Sequence, residues 1–335
     1  MKKYILFAFM GVALLPSCSD KDELGVNFNP AVVQEAPDFV DARDNNTYKT
    51  IRIGKQIWMA ENLRYALPGY SLDGCFTWNE TAPDLKKVKP DDAAFKELML
   101  AIAHDPQYDG WPMKSGNFSF SFTLMIEDWV KQIEKGRLTA DQVREMIAVL
   151  NPEFGQVLTD KLLDYANQPE ARAREGKASF LKAEKVNGGY VEKYGFLYSH
   201  QAALKAVPEG WRLPTDEDWK QLERTLGLSD SEIEVSEAWR GEGLATLLEQ
   251  GGAARFNAPK AGSNAYRKEA LPFYINKDRA WYYWTATTFN MQDSIPVAMV
   301  RMSAEFNTKV WRGTCRLDNA RREVLNSVRC VKNAE

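Results

Sequence analysis

Near residue 90 the apolar residues of this chain change from the alternation of strands to the 3.6-residue repeat of helices, and near residue 187 they change back. A chain built this way is a strand-bearing domain interrupted by a helical insert. The first half of that domain begins with an Asp44-Asn45-Asn46 turn, an alternating run through Tyr48, Thr50, Ile51 and Ile53, and a second turn at Gly54. This is a hairpin signature. The insert carries four amphipathic stripes. Phe95, Leu98, Met99 and Ile102 make the first, and Leu124, Ile126, Trp129, Val130 and Ile133 the second. The capping box Thr139 to Gln142 opens a third helix over Val143, Met146, Ile147 and Leu150. Pro152 opens the fourth, through Phe154, Val157, Leu158, Leu162 and Tyr165.

After Gly188-Gly189, the run Tyr190, Tyr194, Phe196 and Tyr198 reads as strand, and Gln201 to Ala206 as a short helix. Thr215 is an N-cap, with Asp216, Glu217 and Asp218 in the first turn, where the helix dipole favours negative charge. Strands are expected around Trp281–Thr288, Val297–Ser303, Lys309–Arg312 and Ser327–Val331.

The N-terminus carries an address. Lys2 and Lys3 precede an uncharged apolar run, Tyr4 to Leu15, which is too short to span a bilayer and reads as a signal peptide. Leu15-Pro16-Ser17-Cys18 looks like a bacterial lipobox, so lipidation is expected at Cys18. The acidic cluster Ser19 to Glu23 resembles the signal that sends lipoproteins of Bacteroidota-type bacteria to the outer face of the outer membrane. The expected location is therefore the outer membrane, lipid-anchored and exposed at the cell surface. The formal charge of −3 falls by two when the signal's lysines leave, and no basic stripe with interleaved aromatics argues for nucleic acid. Two histidines without neighbouring Cys or carboxylate ligands argue against zinc, and no cofactor is expected.

Several ordered blocks carry a family likeness. Tyr48 to Leu63, Tyr194-Gly-Phe-Leu-Tyr198, Pro208 to Trp219, Arg255-Phe-Asn-Ala258, Ala280 to Thr287 and Ser327 to Lys332 resemble the Fibrobacter succinogenes major paralogous domain. Gly210 to Trp219 also looks like a helix start in formylglycine-generating-enzyme-like proteins. Together these imply an α+β, C-type-lectin-like mixed domain with a small twisted antiparallel sheet, interrupted by an all-helical insert. The expected division is 1–17 signal peptide, 18–40 lipidated tether, 41–82 and 187–333 major domain, and 83–186 insert. The family's second cysteine position holds Val191, so the resemblance implies that Cys75 lacks its partner. Cys315 and Cys330 are expected on neighbouring strands, which leaves a disulfide between them open.

An enzyme is not expected. Cys315 and Cys330 are not the close reactive pair of a formylglycine-generating catalyst, the second alternative for this chain. Asp216 to Asp218 and Asp91-Asp92 are explained as helix starts, and fold alone does not grant chemistry. Asp105 to Gly110 begins like a calcium loop, but Gly116 stands where a bidentate Glu is required. Ten tryptophans and thirteen tyrosines favour a surface that binds glycan or another extracellular ligand. The residues expected to supply it are Trp239, Tyr266, Tyr274, Trp281 and Tyr283. Along the last stretch, Trp281 and Tyr283 share one strand face and Tyr282 and Trp284 the other. The alternative is an adhesion or assembly component that binds a surface protein through the insert.

Overall fold

The computed structural model describes residues 25–88, 90–108, 111–115, 118–265, 273–317 and 324–334. The chain is α+β. It opens with β1 (Val33–Val40), β2 (Thr47–Ile53), β3 (Gln56–Met59) and the short β4 (Cys75–Phe76). The insert follows: α1 (Asp92–Ala103), the hairpin β5 (Pro112–Ser115) and β6 (Phe118–Ser121), then α2 (Phe122–Glu134), α3 (Ala140–Leu150), α4 (Pro152–Ala166) and α5 (Pro169–Asn187). The second half runs through α6 (Tyr190–Tyr194), β7 (Leu197–Tyr198), α7 (His200–Ala206), α8 (Asp216–Thr225), α9 (Asp230–Ile233), β8 (Ala238–Arg240) and α10 (Leu244–Leu248). It ends with β9 (Ser263–Ala265), β10 (Phe273–Ile275), β11 (Tyr282–Asn290), β12 (Pro296–Ala304), β13 (Asn307–Arg316), β14 (Val324–Leu325) and β15 (Val331–Asn333). None of the helices among the described residues is long and apolar enough to cross a membrane.

Two antiparallel four-stranded sheets organise the body, in the orders β1-β2-β3-β15 and β11-β12-β13-β8. The first joins the chain's two halves, because β15 pairs with β3 from before the insert, Val331 opposite Trp58. Gly54, at φ +58°, makes the tight β2–β3 turn that the sequence announces. Side chains of these strands feed two cores on opposite faces. Trp58 and Tyr283 enter a core with Trp219, Leu222, Phe256 and Val310. Their neighbours Met59 and Trp284 enter another, with Tyr48, Tyr190 and Tyr198. This is the two-residue alternation of strands used on both sides.

The four expected insert helices are present and bury their apolar stripes against one another. Phe95, Met99, Ile126, Ile147 and Phe154 are fully buried, with Phe122 and Phe154 in edge contact at 4.6 Å. The Thr139–Gln142 capping box forms in both directions. The insert is not all-helical, however: the β5–β6 hairpin lies between α1 and α2, with Pro112 paired to Ser121 and Ser115 to Phe118.

α5, unforeseen in the sequence, ties the insert to the body. Arg172 pairs with Asp73 at 2.7 Å and donates to the Leu72 carbonyl, while Phe180 stacks on Tyr70 at 5.0 Å. Gly176 sits directly on the Gly69 carbonyl oxygen, where a Cβ would overlap it. A second difference lies just beyond. Tyr190 and Tyr194 are not on a strand but on the short helix α6, where their four-residue spacing stacks the rings at 4.9 Å.

Candidate functional site

The sheet β11-β12-β13-β8 has one inward and one outward face, and buried charge decides which is which. Arg301 on β12 and Arg312 on β13 are register partners, and both point into the protein. Arg301 donates to Glu223 at 2.7 Å and to Asp216 at 2.8 Å, both on α8. Arg312 grips Asp216 through two bonds of 2.6 and 3.0 Å. Arg240 on β8 closes the network on Glu223. Burial pushes the Asp216 carboxyl up, but its hydrogen bonds to Arg312 and Arg301 outweigh this and hold it well below the usual carboxylate range. A one-residue slip of β12, β13 or β8 would turn a guanidinium out and strip a buried charge partner from Asp216 or Glu223. The register is therefore strongly specified.

The same register turns the intervening residues outward. Tyr282 is opposite Met302, Met302 opposite Trp311, and Trp311 opposite Trp239. These four side chains form one row across four strands. All four are partly exposed, in a sheet whose inward residues are buried. Three inter-strand steps make the row about 14 Å long. Trp239 and Trp311 meet edge to face, ring centroids 5.6 Å apart, an arrangement that adds about 1 kcal/mol beyond burial. At the other end, the Asn276 amide donates to the Tyr282 hydroxyl at 2.6 Å and fixes that ring.

Trp311 lies over Gly313, two residues along the same face. A Cβ at 313 would overlap the indole Nε1 and stand 2.8 Å from a Glu237 carboxylate oxygen. The glycine leaves room for the indole to lie along the sheet. The next row on this face, Trp284 and Val300, is closed off: the Trp284 indole donates to the Tyr198 carbonyl at 2.7 Å, beneath α7. Trp239, Trp311 and Tyr282 thus stand together at one end of the sheet, with Phe289 exposed at the other end of β11.

Of the ligand residues expected from sequence, Trp239 lies on this row. Tyr274 packs on Trp78 at 5.0 Å and donates to the Glu80 carbonyl at 2.8 Å, away from the row. Tyr266 lies outside the described residues, as does Cys18. Trp281 and Tyr283 require correction. Both are fully buried, and the Tyr283 hydroxyl is spent on Asn62 at 2.8 Å, so neither ring can meet a ligand. Their strand faces the core with the opposite parity, and Tyr282 is the outward aromatic. Trp311 and Met302 were missed, although the alternation of β13 and β12 carried them.

The disulfide between Cys315 and Cys330 is also corrected. Cys75, Cys315 and Cys330 are all free thiols. β13 has β12 and β8 as neighbours, whereas Cys330 leads into β15 beside β3, so the two cysteines do not lie on neighbouring strands. Burial pushes each of the three thiols up to about 12, far from a reactive thiolate.

Among the described residues, two larger surface grooves lie elsewhere. One of about 460 Å³ runs between Tyr65, Tyr70 and Phe180 at the α5 seam, but its rim arginines serve the fold. Arg43 is held by Asp41 and the Ala206 carbonyl, and Arg64 by Glu61 and the Thr47 carbonyl. The other, of about 610 Å³, is a furrow of mixed polarity between α3 and α4.

The whole aromatic row lies within residues 159–332, which match the family model described as the Fibrobacter succinogenes major domain. That match begins inside α4 and includes α5. No curated protein and no solved structure matches the chain. Since the family model covers just over half of the sequence, the chain belongs to the Fibrobacter succinogenes major domain family.

Proposed function

We propose that this protein is a non-catalytic, surface-exposed lipoprotein, anchored through Cys18 in the outer membrane, that binds glycan on the Tyr282–Met302–Trp311–Trp239 row. The observation that carries the reading is the row itself: partly exposed aromatic rings in register on a rigid sheet, held outward by a buried ion network. Aromatic faces are apolar with a polar edge, which suits the C–H face of a pyranose and leaves its hydroxyls to water or to neighbouring side chains. A platform fixed by the sheet loses little entropy on binding, so modest contacts convert into affinity. Small antiparallel sheets flanked by short helices are in keeping with a lectin-like body. The apolar stripes of the insert face inward, and its large exposed apolar side chains among the described residues, Leu124, Val149, Leu181 and Val186, are spread over α2, α3 and α5. The glycan reading is therefore preferred to a protein-binding insert.

Affinity electrophoresis through gels cast with a polysaccharide panel tests this reading. Wild-type protein should be retarded by at least one member, and Trp311→Ala, Trp239→Ala and Tyr282→Ala should each run closer to the unretarded position. Phe306→Ala, at a hairpin tip where the ring is 97% exposed and off the row, should behave as wild type. Equal retardation of all variants would remove the row from the account.

A further inference from the structure

Glu237 stands one residue before β8 with φ at +54°, a left-handed backbone that disfavours residues with a Cβ. By the alternation of the strand its side chain shares the face of Trp239. The register that pairs Arg312 with Ala238 carries on to set Gly313 beside Glu237. Consistently, a Cβ on Gly313 would stand against both the Trp311 Nε1 and a Glu237 carboxylate oxygen. Gly313 has no left-handed φ, so what it supplies is space, and into that space come one carboxylate and one indole N–H.

The charges around this point are otherwise matched. Lys309, two residues before Trp311 on the same face, is paired with Glu242 at 3.4 Å, and Arg279 with Glu305 at 3.5 Å. Glu237 is exposed, and among the described residues its carboxylate has no ion pair or side-chain hydrogen bond. An ionised carboxylate only accepts hydrogen bonds, and an indole N–H only donates. Beside an aromatic face, this pair matches adjacent hydroxyls of a pyranose ring: two O–H groups can donate to the carboxylate while one hydroxyl oxygen accepts from the indole. The same carboxylate repels a uronate or a sulfate.

We propose that Glu237 is the specificity-determining residue of the row and that it selects neutral glycans bearing vicinal hydroxyls over polyanionic ones. The inference rests on the reading of the row as a glycan site. Its test is affinity electrophoresis of the full chain in gels containing neutral mannan or xyloglucan, against polygalacturonate as the anionic probe. Wild type should be retarded by a neutral polysaccharide and not by polygalacturonate. Glu237→Gln keeps the shape and removes the charge; a charge-assisted hydrogen bond is replaced by a neutral one, so binding to the neutral polysaccharide should weaken about tenfold. Discrimination against polygalacturonate should narrow at the same time. If Trp311→Ala abolishes retardation while Glu237→Gln behaves as wild type on both probes, the inference is overturned and the glycan reading stands. Equal retardation of wild type by polygalacturonate and the neutral probe also overturns it. Absence of retardation by every probe overturns both readings together.

Discussion

Asn62 and Arg329 stand 267 residues apart along the chain, and the Asn62 side-chain carbonyl accepts from both Nε and Nη2 of Arg329, at 3.1 and 2.7 Å. Arg329 is fully buried, and its other bonds go to the Met59, Phe256 and Asn257 carbonyls and the Tyr283 hydroxyl. Asn62 in turn donates to the Tyr194 carbonyl at 2.8 Å. This one amide therefore stitches the segment before the insert to the segments after it. Asn62→Leu should leave the guanidinium short of acceptors and cost about 3 kcal/mol. Urea unfolding of the full chain checks this; a loss below about 0.5 kcal/mol would show that the halves are held by other means.

The α5 dock makes a separate prediction. Because a Cβ on Gly176 would overlap the Gly69 carbonyl oxygen, Gly176→Ala should force α5 off its seat at a cost of about 2 kcal/mol. The expected readout is faster amide exchange along 169–187, with the row end of the β11–β13 sheet unchanged. Unaltered exchange in α5 would contradict the packing described.

Acid should weaken the sheet through Asp216. Its carboxyl sits below the usual range in the folded protein because its bonds to Arg312 and Arg301 outweigh the effect of burial. A carboxylate with a depressed folded pKa stabilises the protein above the unfolded value, and that stability is lost as pH falls through the folded value. Asp216→Asn should therefore be less stable than wild type at neutral pH, by about 3 kcal/mol, and the gap should shrink as the pH is lowered through the carboxylate range. Glu80 has the opposite sign. Burial raises its pKa despite the bond from the Thr77 amide, so its ionisation opposes folding as pH rises. Glu80→Gln should raise the melting temperature at pH 7 and lose that advantage in acid. Thermal melts across pH check both variants.

The thiols give a chemical test. Cys75, Cys315 and Cys330 are free, so a Cys18→Ala variant, unfolded without reductant, should be alkylated at all three. Recovery of a Cys315–Cys330 linked peptide would contradict the structure.

Much of this fold was legible in the sequence, and what was missed follows a pattern. The four insert helices declared themselves because each buries an aliphatic stripe, as Phe95, Met99 and Ile102 do on α1. α5 did not, because the residues it buries are Ala171 and Gly176, and small residues leave no periodic signal. The strand Tyr282–Asn290 was found, but its parity was not. With Tyr283 and Trp284 buried on opposite faces, alternation alone cannot name the outward side. The information lay in Arg301 and Arg312, whose charge suggests an exterior position but whose partners Asp216 and Glu223 come from a distant helix. Trp239 was found and Trp311 was not. Only the register joins them, and register is a long-range property.

On the proposed reading, glycan binds on the partly exposed row and away from the buried tryptophans. The most direct measurement is the set of indole N–H resonances of ¹⁵N-labelled protein during titration with the polysaccharide that retards it most. Assignment can use single Trp→Phe variants. The Trp239 and Trp311 signals should shift together and saturate, while those of Trp58, Trp219, Trp281 and Trp284 stay in place. Unmoved Trp239 and Trp311 signals at a saturating concentration of a bound polysaccharide would contradict the account.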